Sequence, residues 1–150
     1  MNCLPTAGSR RCKSGRGLRL AVGAGLLTLL APSIALAQVA GKSPTCGPVS
    51  GKSAKDLANL LTFCKKGVTK GVAVGAYAME SLLWIKVPKD VADAFVQDRL
   101  TAEQLMKLWM KGWQQESGSR AVTIYVEWKD VEIAKGETTV FSGDKITIKP

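Results

Sequence analysis

Histidine does not occur anywhere in this chain of 150 residues. Its absence removes the Ser–His and Cys–His nucleophile pairs, which need an imidazole base. It also removes the commonest ligand of a protein metal site. Lysine-based nucleophile pairs are no better served, because no Ser-x-x-Lys opens a helix in a fitting place. Cysteine is scarce as well: of four, Cys3 and Cys12 stand near the N-terminus, leaving Cys46 and Cys64. A redox dithiol would set two cysteines two residues apart, and two distant thiols do not complete a tetrahedral zinc site. Runs of basic residues and aromatic-interleaved basic strips are missing too, which argues against nucleic-acid binding. No metal and no cofactor is expected.

Acids are missing from one region in particular. Residues 1–37 hold Arg10, Arg11, Lys13, Arg16 and Arg19 but none of the 12 acids. "LAVGAGLLTLLA", Pro32 and "SIALA" follow, ending at Ala37 before Gln38. A basic start, a short apolar run and a small-x-small site make the layout of a secretory signal peptide over residues 1–37. The arginine pair in "SRRCK" lacks the apolar residues a twin-arginine signal carries next, so general secretion is favoured. Cys46 follows "KSPT" rather than the apolar-small triplet of a lipoprotein. The alternative is an uncleaved anchor, because Leu20 to Gly41 carries no charge and about 20 apolar residues can span a bilayer. Either way the chain from Lys42 onward is expected outside the cytoplasm, periplasmic or secreted, with no membrane span after cleavage. Five of the 21 basic residues leave with such a leader, and the net charge falls from +9 to a mild +4.

In an oxidising compartment Cys46 and Cys64 read as a structural disulfide. Closing a loop of this size is worth roughly 3 kcal/mol in the chain-entropy model.

After the leader, "QVAGKSPTCGPVSG" (residues 38–52 with Lys52) reads as an extended lead-in pinned at Cys46, ahead of one domain over residues 53–150. Ser53 is a helix N-cap signal, with Asp56 three residues on, and Leu57, Leu60, Leu61 and Cys64 form one apolar face. In "FCKKGVTKGVAVGAYAMESLLWI" glycines recur at Gly67, Gly71 and Gly75. Only nine uncharged residues separate Lys70 from Glu80, too few to cross a bilayer. The spacing suggests a core helix whose glycines admit a neighbouring backbone. Pro88 ends it, Asp90 caps "VADAFVQDRL", and Thr101 with Gln104 forms a capping box for a last helix. Residues 120–149 change to a period of two: "AVTIYVEW" alternates, a turn is expected near Gly136, and Ser142–Gly143–Asp144 joins a hairpin. The expected fold class is α+β, with three to four helices over 53–116 followed by a small C-terminal antiparallel sheet.

Chemistry finds few footholds. "SGKS" (Ser50–Ser53) lacks the upstream glycine and preceding strand of a phosphate loop. Glu80 in "AMESLLW" is the one acid to weigh, since burial on a helix would suit a general acid. Glu-Ser on a helix resembles the way lytic transglycosylases present their single acid. The resemblance covers two residues, and the segment that follows in that family is absent. Glu80 falls instead beside Lys66, Lys70 and Tyr77, the polar side. "FCKKGVTKG" is similar to a cysteine-glycine stretch in small periplasmic immunity proteins of the Rap/Tai type, which neutralise peptidoglycan amidases. The strand-rich C-terminus does not belong to that pattern, and no residue role is carried over.

Met106, Trp109, Met110 and Trp113 form a stripe at helical spacing, which reads first as core and second as a partner surface. Trp84, on the polar side with Tyr77, strengthens the second reading. The function expected is a small exported, disulfide-stapled, non-enzymatic binding protein: an inhibitor, immunity protein, chaperone or accessory subunit, with a protein partner in the cell envelope. The alternatives are an enzyme acting on cell-wall glycan through Glu80 and a membrane-anchored structural component.

Overall fold

A computed structural model describes residues 38–150. The expected leader over residues 1–37 lies outside the described residues. The chain does not place its helices first and its strands last. Ten elements alternate: β1 (Val39–Ser43), β2 (Gly47–Gly51), α1 (Ala54–Lys65), β3 (Gly75–Met79), β4 (Leu82–Lys86), α2 (Lys89–Gln97), α3 (Arg99–Ser117), β5 (Val122–Trp128), β6 (Val131–Thr139) and β7 (Gly143–Ile148). The strands form one seven-stranded mixed sheet in sequential order. Neighbours are antiparallel except β2–β3 and β4–β5, which are parallel. A parallel pair needs a crossover, and α1 supplies the first and α2 with α3 the second.

Both crossovers advance the same way along the sheet, so their right-handed preference puts all three helices on one face. Burial follows that layout. Val49, Ala76, Ala78, Leu83, Ile85, Val122, Ile124, Val126 and Ala134 are buried on the helix side. Their alternating neighbours Ser50, Tyr77, Trp84, Tyr125 and Lys135 are partly exposed. Among the described residues, no helix covers the second face of the sheet.

Two segments correct the sequence expectation. The lead-in over residues 38–52 is the β1–β2 hairpin, paired from Val39–Gly51 to Ser43–Gly47. The glycine-spaced stretch is a hairpin rather than a helix, with β3 and β4 paired from Gly75–Lys86 to Met79–Leu82. In "GAYAM" and "LLWI" the side chains alternate between buried and half-buried, the period of a strand. Gly67 and Gly71 both have φ of +75° in the turns after α1, and an added Cβ would meet nothing at either. They serve backbone conformation and not helix packing.

Helix starts also shift. Ser53 does cap α1, accepting from the Asp56 N–H at 3.1 Å. The cap of α3 is Asp98 and not Thr101: the Thr101 N–H donates to Asp98 Oδ1 at 3.1 Å. Pro88, not Asp90, precedes the first residue of α2. Gly136 lies inside β6, and the β5–β6 turn falls at Lys129 and Asp130, with φ of 51° and 62°.

The disulfide joins Cys46, in the β1–β2 turn, to Cys64 in the last turn of α1, with 5.8 Å between Cα atoms. Both cysteines are fully buried. Nearby, the Thr45 hydroxyl donates to the Cys64 carbonyl at 2.5 Å. The hairpin that opens the domain is thereby tied to the helix that covers it. Among the described residues no helix is long and apolar enough to cross a membrane.

Candidate functional site

Sheet register decides which side chains meet on the open face. Ser50 pairs with Tyr77, Tyr77 with Trp84, Trp84 with Tyr125, and Tyr125 with Lys135. These five therefore stand in one line across β2 to β6. Neighbouring strands lie about 4.8 Å apart, and the rings keep that spacing. Tyr77 and Trp84 are 5.4 Å apart between centroids at 45°, and Trp84 and Tyr125 are 5.2 Å apart at 15°. Lys135 Nζ closes the row 5.5 Å from the Tyr125 centroid, a cation–π distance.

Stacking has a chemical consequence. The facing surfaces of Trp84 and Tyr125 cover one another, and both residues stay partly exposed. Tyr and Trp side chains combine apolar area with a polar group capable of hydrogen bonding, the property that enriches these residues at interfaces. Beside the row lies a shallow depression of about 330 Å³ lined by Gln38, Ser50, Tyr77, Trp84, Lys86 and Glu127. Ser50 is the small residue that leaves room next to the Tyr77 ring.

Charges frame the row in pairs. Lys86 Nζ bonds Asp130 Oδ1 at 2.5 Å, and that hydrogen bond with the Asp130 charge holds the ammonium above lysine's ordinary pKa. Lys135 pairs with Glu137 at 2.6 Å, and the Glu137 hydrogen bond likewise raises it, with desolvation opposing. Acids and bases are interspersed rather than gathered into one sign, so this face has no strong preference for an anion or a cation.

The other sequence candidates are placed differently. Trp109, Trp113 and Met106 have no exposed surface and Met110 has 1%, so the stripe faces the sheet and belongs to the core. Phe63 meets Trp113 edge-on at 5.9 Å, and Trp109 Nε1 donates to the Val68 carbonyl at 3.3 Å. A surface for partners cannot use these four while the domain is folded. Trp84 and Tyr77 do reach solvent, on a strand pair and not on a helix. Tyr125 is not among the sequence candidates; its signal is its place among the polar positions of the alternating strand "VTIYVEW".

Glu80 is neither on a helix nor buried. It occupies the β3–β4 turn, its side chain 75% exposed and 3.4 Å from Lys52 Nζ. Its backbone N–H donates to Asp56 Oδ1 at 3.0 Å, which ties the turn to the first turn of α1. A strand does precede "SGKS", contrary to the sequence reading, but residues 47–51 are paired within that strand and form no loop. Among the described residues no group of three or more His, Cys, Asp or Glu side chains is placed to hold a metal ion.

Comparison of the chain with protein-family models, with curated proteins and with solved structures finds no match.

Proposed function

We propose that this chain is an exported, disulfide-stapled, non-catalytic binding protein that holds a protein partner of the cell envelope on the helix-free face of its sheet. The observation that carries the reading is the aromatic row Tyr77–Trp84–Tyr125, partly exposed at the centre of that face. Trp and Tyr are the residues that most often carry binding energy at the centres of interfaces. Mixed, paired charges around an aromatic centre match the polar rim of such interfaces. A disulfide and the basic, then apolar, then small-residue pattern of residues 1–37 support export to an oxidising compartment.

The test starts from a partner retained by the mature protein from an envelope extract, identified and then purified. Binding is measured for the unmodified protein, for Trp84→Ala and for Leu108→Ala, which removes an exposed residue of α3 on the other side. Trp84→Ala is expected to weaken binding at least about 30-fold, the loss typical of a central anchor. Leu108→Ala is expected to leave it unchanged. Equal affinities for all three would remove the sheet face from the account. Turnover of a cell-wall glycan by the unmodified protein would replace binding with catalysis.

A further inference from the structure

On the helical side, the corner where α2 meets α3 holds a second depression of about 330 Å³. Its surface is mainly apolar, with Val72, Val91, Phe95 and Leu105 among the residues that line it. Phe95 is only 3% exposed and rests on Trp109, with ring centroids 6.2 Å apart, so the base of the depression is part of the rigid core. Small residues keep it open: Ala94 and Ala102 stand where longer side chains would fill the space. A volume of this order is within the range of small-molecule sites.

Two carboxylates share that lining, Asp90 and Asp98. Among the described residues neither is in an ion pair, whereas the adjacent Asp93 is paired with Lys89 at 2.6 Å. Asp98 uses Oδ1 to cap α3. The surrounding segment reverses the sign of the rest of the domain. Residues 90–103 hold Asp90, Asp93, Asp98 and Glu103 against Arg99 alone, whereas residues 38–150 together carry 16 Lys and Arg against 12 Asp and Glu, a net +4. An apolar recess with unpaired negative charge at its lining is complementary to an apolar group that carries a positive one.

We propose that this depression binds a small aliphatic cation, an alkylamine or alkylguanidine, with its chain against Phe95 and Leu105 and its charge beside Asp90 and Asp98. A fatty acid of the same length would bring its carboxylate toward two others. A neutral alcohol would fill the recess without the ionic contact. The site is on the face opposite the aromatic row, so it stands or falls independently of the sheet-face partner.

Hexylammonium, hexanol and hexanoate are the probes, titrated into the purified protein at low salt and followed by amide chemical shifts. Hexylammonium is expected to bind saturably, at least about tenfold tighter than hexanol, and hexanoate more weakly still. The largest shifts are expected at Ala94 and Leu105, with Tyr77 and Trp84 unmoved. Asp90→Asn with Asp98→Asn should bring hexylammonium down to the level of hexanol, because asparagine still caps α3 but carries no charge. Ala94→Phe, at an exposed position on the lining, should abolish binding of the two stronger probes. Raising the salt concentration should weaken hexylammonium alone. Failure of hexylammonium to bind, equal affinity for the three probes, or shifts spread evenly over the molecule would overturn the proposal.

Discussion

Glu80 holds φ at 56° in the β3–β4 turn, a left-handed conformation that costs a residue with a Cβ about 1–2 kcal/mol. What holds it there is Asp56, only 5% exposed, whose carboxylate accepts the Glu80 N–H and a Ser53 Oγ–H bond at 2.8 Å. The exposed Lys52–Glu80 pair adds little, since surface ion pairs are worth a median of about 0–1 kcal/mol. Glu80→Gly is therefore expected to stabilise the fold by about 0.5–1 kcal/mol, as removal of the steric cost outweighs the extra freedom of the unfolded chain. Urea unfolding measures it, and a destabilised variant would contradict the account of the turn. This residue also explains one limit of the sequence. Nothing in "AMESLL" is a turn signal, because the contact that fixes the turn comes from Asp56, 24 residues earlier.

At the scale of elements, α1 and the β1–β2 hairpin are held together by the Cys46–Cys64 bridge and by close packing. A Cβ on Gly51 would come within 2.6 Å of the Leu57 backbone nitrogen. Replacing both cysteines by alanine is expected to lower stability by about 3 kcal/mol, the loop-closure value for 18 residues of separation. Chemical unfolding gives that number. Hydrogen exchange should quicken first in residues 39–51, and unchanged exchange there would show that pairing with β3 is sufficient. The α2–α3 junction makes a prediction in pH. Hydrogen bonds from Thr101 to the Asp98 carboxylate hold its pKa below the ordinary aspartate value. The folded pKa is the lower one, so this stabilisation is fully present above the unfolded value and is lost as pH falls through the folded one. Carboxyl titration by NMR should find Asp98 below ordinary aspartate, and a midpoint at or above it would contradict the cap. Helix α1, with its Ser53 cap and apolar face, was legible because capping and periodicity agree. The β3–β4 pair was not, because a short apolar run satisfies a period of 3.6 as readily as a period of two.

Across the whole molecule, parallel pairing was the feature least visible in the chain. Local patterns group the helices and leave the strands to the end. The β1–β2 pair carries Gly and Pro, weak strand formers, and pairs as a strand because α1 covers its helix side. Trp84 and Tyr77 were recognisable as exposed aromatics, but their alignment with Tyr125 depends on a strand register that pairs positions 41 residues apart, Trp84 with Tyr125, which no local pattern encodes. Once that register is set, one face belongs to the helices and the other to the aromatic row. Whether a protein partner sits on the aromatic row can be read by NMR cross-saturation from the purified partner to the labelled protein. Transfer is expected to centre on Tyr77, Trp84 and Tyr125 and to fade toward Leu108 and Lys111 on the helical side. Transfer centred on α3, with the three aromatic residues untouched, would contradict it.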